Sequence, residues 1–133
     1  MPRIHKTSLW QITVPEAWSI SGSGEHIMLF RPDGVGMLHI ETSDTVGRYD
    51  LLAYARDHSP AGTEFTETSC GRFRGFTGVQ IENGTLCHTW WFLCRGQNLV
   101  YASYKCAAKN TGVESSEVDG IIQSFDESTG NDK

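Results

Sequence analysis

Trp90 and Trp91 are neighbours in a stretch, residues 79–106 (VQIENGTLCHTWWFLCRGQNLVYASYKC), that reads as extended chain on both sides of them. Successive side chains of a strand point to opposite faces, so the two indoles cannot share one core. Any sheet built from this stretch therefore needs cover on both faces. The runs on either side of Arg95-Gly96-Gln97-Asn98 are rich in aromatic and β-branched residues. A third run, residues 75–82, is attached through Asn83-Gly84, the strongest short hairpin signal. The three make an antiparallel meander. With Gly96-Gln97 as the loop residues, Leu93 faces Val100, Trp91 faces Ala102 and Cys87 faces Cys106. One face then carries Cys87, Thr89, Trp91, Leu93, Val100, Ala102, Tyr104 and Cys106; the other carries Leu86, His88, Trp90, Phe92, Cys94, Leu99, Tyr101 and Ser103.

Upstream, residues 10–14 alternate apolar and polar as a half-buried strand does, and Pro15 ends them. Ser21-Gly22-Ser23-Gly24 reads as a flexible connection to a strand over 25–31, which returns through the Pro32-Asp33-Gly34 turn as a strand over 37–41. Residues 48–58 are helix formers without internal Gly or Pro, capped by Ser43, Asp44 or Thr45 and stopped by Ser59-Pro60. Strand character resumes over 64–68 and at Arg72-Phe73, with Cys70-Gly71 either bending one strand or separating two. A last helix is expected over 114–125, where Val118, Ile121, Ile122 and Phe125 form one apolar stripe. Gly120 weakens it and would mark close approach to the sheet. Residues 126–133 are polar and read as a frayed tail. The expected fold is one α+β domain over 1–133: a central antiparallel sheet of six or seven strands in two meanders, flanked by two helices. Each helix can cover one face of the sheet, burying both tryptophans. If both helices pack on one side, the other aromatic face becomes a docking surface or a dimer contact.

The balance of 16 acidic against 11 basic residues, a net charge of -5, argues against nucleic acid and anionic membrane as partners. No stretch has the length and apolarity of a membrane span or a signal-peptide core, which places the chain in the cytoplasm. Reduced thiols are the default there for Cys70, Cys87, Cys94 and Cys106. The opposition of Cys87 and Cys106 leaves a thiol or zinc switch as one alternative. Against zinc stand the missing C-x-x-C and the opposite directions of Cys87 and His88. His26 and His39 are neighbours across the first hairpin, with Glu25 or Glu41 to orient one of them; this second alternative is an acid–base pair in a small enzyme. The sequence has no G-x-S-x-G or H-E-x-x-H, and its Gly-Ser-Gly and Gly-Val-Gly pieces are turns between strands rather than phosphate loops. No metal, cofactor or catalytic residue is expected in the leading reading. Arg72, Arg74 and Arg95 with Phe73 and Phe76 form a basic–aromatic set which, with Trp90 and Trp91, suits a protein interface.

The opening Ile12-Thr13-Val14-Pro15-Glu16-Ala17-Trp18 resembles the strand and Pro-Glu-Gly-Trp start of PsbP-like domains, with Ala17 in place of the usual glycine. That family includes the extrinsic photosystem II subunit, the Ran nucleotide-release factors and bacterial proteins of unknown role. The order of meander, helix, longer meander and a closing helix ending in Ile121-Ile122-Gln123-Ser124-Phe125 is similar too. The resemblance implies a central antiparallel sheet flanked by helices and a mainly non-catalytic, partner-binding role. The combined expectation is a bacterial accessory or adaptor protein that docks or masks a protein partner, an immunity-type protein that covers a toxin being one form of it.

Overall fold

In a computed structural model, residues 2–23, 26–43, 51–95 and 98–128 are described. The chain is α+β with a central antiparallel sheet. Strands β1 (Arg3–Lys6), β2 (Trp10–Val14) and β10 (Asp126–Glu127) form a small sheet ordered β1-β2-β10. The large sheet takes β3 (Ser19–Ser23), β4 (His26–Phe30), β5 (Gly36–Ser43), β6 (Phe65–Cys70), β7 (Phe73–Glu82), β8 (Leu86–Arg95) and β9 (Asn98–Ala107) in the order β3-β4-β5-β9-β8-β7-β6. Helix α1 spans Leu51–Asp57 and α2 spans Ser115–Gln123.

The central hairpin has the register expected from its loop. Cys87 pairs with Cys106, Trp91 with Ala102, Leu93 with Val100 and Arg95 with Asn98. The loop residues Gly96-Gln97 themselves, and the cap of α1 at Ser43, Asp44 or Thr45, touch on or lie outside the described side chains. Asn83 and Gly84, both with positive φ (55° and 70°), make the β7–β8 turn that this dipeptide favours. Cys70-Gly71 separates two strands rather than bending one: Cys70 pairs with Phe73 around a turn in which Gly71 has φ 58°.

Four features differ from expectation. Residues 10–14 do not join the first meander of the large sheet; as β2 they lie between β1 and β10 in the small sheet. Residues 21–23 are not a flexible connection; they belong to β3, which satisfies its backbone along β4. The chain after 125 does not fray at once, because Asp126 and Glu127 pair with Gln11 and Trp10 of β2 as β10. Gly120 does not approach the sheet: a Cβ there would meet nothing within 4 Å.

The two helices take opposite faces of the large sheet, and the adjacent tryptophans separate accordingly. α2 brings Val118, Ile121 and Ile122, with Phe125 beyond it, into a core with Trp91, Leu93, Val100 and Ala102, together with Trp10, Ile12 and Val14 of the small sheet. α1 brings Ala55, Leu51 and Tyr54 onto Trp90, Phe92, Phe65 and Tyr101. Burying a side chain such as Phe92 is worth about 1.5–3 kcal/mol over leaving it in water. An uncovered α1 side would forfeit several such terms. Trp90 is 2% exposed and Trp91 7%, so neither aromatic face is open. On the α2 side Val79 and Ile81 extend past the cover and stay 56% and 51% exposed.

Candidate functional site

Directly paired residues of an antiparallel sheet share a face, so the register lays out the α1 side row by row. One row runs His26, Glu41, Tyr101, Phe92, Phe76, Glu67 across the sheet. The next runs Met28, His39, Ser103, Trp90, and the one after that Met37, Lys105, His88, Gln80. α1 covers the middle of this face. The rows emerge on both sides of it, and that is where the polar chemistry collects.

On β4 and β5, His26 and His39 lie diagonally across the pair and their Nε2 atoms meet, with ring centroids 4.5 Å apart. Glu41, directly opposite His26 and two residues from His39, completes a group whose ligand atoms all lie within 4.8 Å of one another. His26 is exposed, whereas His39 and Glu41 are half-buried. Burial, then the neighbouring His26 and Lys105, hold the His39 imidazole below its usual range against the pull of Glu41. The sequence expectation of a His26–His39 pair with Glu41 beside it is met geometrically; Glu25 lies outside the described residues.

A second group lies past the other end of α1. His88 Nδ1 is 3.0 Å from Glu82 Oε2, and its ring packs against Trp90, tilted by 31°, at 3.9 Å between centroids. With Asp57, His58, Tyr101 and Lys105 these residues line a shallow depression of about 420 Å³. Burial is the main cause of a lowered His88 pKa, opposed by the hydrogen bond to Glu82. The sequence pointed only to which face His88 takes. Its carboxylate partner six residues away comes from the tightness of the Asn83-Gly84 turn.

The expected basic–aromatic set divides. Arg74 and Phe76 come together with Leu51, Glu67, Ser69 and Cys94 in a groove of about 520 Å³ beside the edge strand β6. Phe73, Trp90 and Trp91 are core residues, at 0%, 2% and 7% exposure, so they present no docking surface. Arg72 and Arg95 sit elsewhere, on the β10 side, where Glu127 lies 3.7 Å from Arg72 and 3.4 Å from Arg95. Arg72 also gives its backbone N–H to Asp126 Oδ1 at 3.1 Å. Those two arginines stitch β10 to the large sheet. Arg74, by contrast, is exposed and has no carboxylate partner among the described residues.

Cys87 and Cys106 face each other as free thiols in the α2-side core, at 6% and 5% exposure. Burial, and the neighbouring Cys87, raise the Cys106 thiol above its usual range, which works against thiolate chemistry.

No known family matches the sequence, and no curated protein does either. Solved structures do. A Bacteroides thetaiotaomicron protein known at 1.50 Å superposes with a TM-score of 0.65 at 14% identity, over 93% of this chain and 47% of that one. The chain thus spans about half the length of that protein. LpqN of Mycobacterium tuberculosis, described as involved in cell envelope biogenesis, superposes with a TM-score of 0.60 at 12% identity, over 90% of this chain and 83% of LpqN. At such identities the likeness concerns the fold, which this chain shares with these bacterial proteins. Among the described residues no helix is long and apolar enough to cross a membrane.

Proposed function

We propose that the chain is a non-enzymatic binding module that docks a protein partner on the α1 side of its sheet. The observation that carries this reading is the groove of Arg74, Phe76, Leu51 and Cys94 next to the edge strand β6. An exposed arginine with no carboxylate partner among the described residues, beside a half-buried aromatic ring, is the composition that interface hot spots favour. An edge strand offers a partner backbone hydrogen bonds as well. The PsbP-like opening, in which β2 ends at Val14 and the turn through Pro15 seats Trp18 in the core, supports a partner-binding role by resemblance. The acidic net charge of -5 suits a basic partner, the charge balance of an immunity-type protein covering a toxin. A cytoplasmic location belongs to this reading; the envelope role is LpqN's, and cell fractionation separates the two.

The test is affinity capture from native lysate with the wild-type chain and with an Arg74→Glu/Phe76→Ser variant. A saturable partner retained by the wild type and lost by the variant supports the reading. Identical captures by both chains, or turnover of a substrate by the purified protein, overturn it. Rescue of a toxic neighbouring gene product by co-expression identifies the immunity form.

The convergence of His26 and His39 favours one second reading, acid–base catalysis. Against it, His26 is exposed to water, whereas such groups are most effective in water-excluded surroundings.

A further inference from the structure

We propose that His26, His39 and Glu41 form a binding site for a divalent transition metal of the zinc class, with one coordination position left open to the surface. The inference is independent of the docking groove, which lies across the sheet on β6 and β7.

The backbone register builds the site. His39 and Glu41 are two residues apart on β5 and so share a face, and His26 is the direct partner of Glu41 on β4. Three ligand atoms from two hydrogen-bonded strands therefore come within 4.8 Å of one another with no loop involved. Zinc bonds of about 2.0–2.2 Å place tetrahedral ligand atoms roughly 3.3–3.5 Å apart, within reach of small χ changes in side chains that are exposed or half-buried. The two Nε2 atoms already point at each other. Two ring nitrogens in that position can share at most one proton between them, whereas a cation between them satisfies both lone pairs.

Two imidazoles and one carboxylate select the metal class. Calcium and magnesium take oxygen ligands, whereas imidazole suits zinc and its transition-metal neighbours. Three protein ligands are the number that leaves a position for water or for an incoming group. Glu41 supplies the one negative charge of the set. Lys105, which reaches His39 electrostatically, opposes the cation and keeps the affinity modest. Neither Cys87 nor Cys106 takes part, because both face the α2-side core.

The purified chain, stripped of metal, is titrated with Zn2+ by calorimetry and with Co2+ by visible absorption. The expected result is one equivalent bound with Kd below about 1 mM, and Co2+ bands of nitrogen–oxygen ligation without thiolate charge transfer. His26→Ala and His39→Ala, each checked for native circular dichroism, should each weaken Zn2+ by more than about tenfold, since loss of even an outer-shell partner costs that much. His26 is exposed, so its variant retains the fold and keeps the test decisive if His39→Ala does not. A Cys87→Ser/Cys106→Ser chain should bind as the wild type does. Weaker or non-stoichiometric binding, affinity unchanged in His26→Ala, or a thiolate–cobalt band would overturn the site.

Discussion

Replacing Tyr104 by Phe removes a single oxygen from one of the most constrained spots in the molecule. Tyr104 is 8% exposed and donates its O–H to Glu114, 4% exposed, across 2.5 Å. Glu114 stands at the N-cap position of α2, where its side chain makes no capping bond to the helix, and accepts the Val35 N–H at 3.2 Å. The pair is wedged under two glycines: a Cβ at Gly34 would strike Glu114 Oε2, and one at Gly36 would strike Tyr104 Oη. Burial first, then the hydrogen bond to Glu114, raises the phenol well above its usual range, so the hydroxyl keeps its proton near neutral pH. A hydrogen bond to a charged group is worth about 1.5–3 kcal/mol, and Tyr104→Phe leaves the carboxylate buried with one donor fewer. The expected loss is about 2 kcal/mol. With a urea slope of roughly 1–3 kcal/mol/M, the unfolding midpoint falls by the order of 1 M at unchanged slope. Glu114→Gln keeps an acceptor for the phenol and removes the charge that needs it. Adding it to Tyr104→Phe should therefore cost less than the sum, with a coupling above about 0.5 kcal/mol. A Tyr104→Phe loss under about 0.5 kcal/mol, or strict additivity, would refute the claim that this bond ties α2 to β9.

His39 and His88 both have lowered pKa values, chiefly through burial. Between those values and the unfolded value near about 6.5 the unfolded chain binds more protons, so stability should fall as pH drops through that window. His88→Gln should flatten the midpoint-versus-pH curve; a wild-type midpoint that rises on acidification contradicts the assignment. Gly36→Ala forces a Cβ onto the Tyr104 ring and Lys105 O and should cost about 1–3 kcal/mol in thermal or urea melts. Gly120→Ala, which meets nothing, should stabilise α2 by about 0.5–1 kcal/mol, and equal effects at the two sites would disprove the packing described. All four tryptophans are at most 7% exposed, so acrylamide should quench native fluorescence far less than unfolded fluorescence. Strong native quenching would reopen the aromatic faces as a docking surface.

What could be read from the residues was local. Alternation and the Asn83-Gly84 dipeptide placed β7, β8 and β9, and the Gly96-Gln97 loop gave the β8–β9 register, because turn chemistry and the pleat act over a few residues; the β7–β8 register, which pairs Glu82 with Leu86 rather than with Thr85, was not legible in the same way. The stripe of Val118, Ile121, Ile122 and Phe125 located α2 for the same reason. β1 and β10 carried no such signal: four and two residues long, they are strands only because β2 lies between them. Gly34 and Gly36 looked like turn residues, and their close packing on Glu114 and Tyr104 depends on contacts far apart along the chain. Arg72, Arg74 and Arg95 are alike in sequence, and only the position of β10 decides that two pair with its carboxylates while Arg74 has no carboxylate partner among the described residues.

The adjacent tryptophans show the division most directly. By itself, the sequence required that Trp90 and Trp91 face opposite ways and that both sides of the sheet be covered, since the pleat permits nothing else. Which helix covers which side is a long-range choice between packings of similar local chemistry. The tertiary structure set α1 on Trp90 and α2 on Trp91, closed both aromatic faces, and left the polar ends of the α1 side open, with the Arg74 groove at one flank and the His26–His39–Glu41 group at the other.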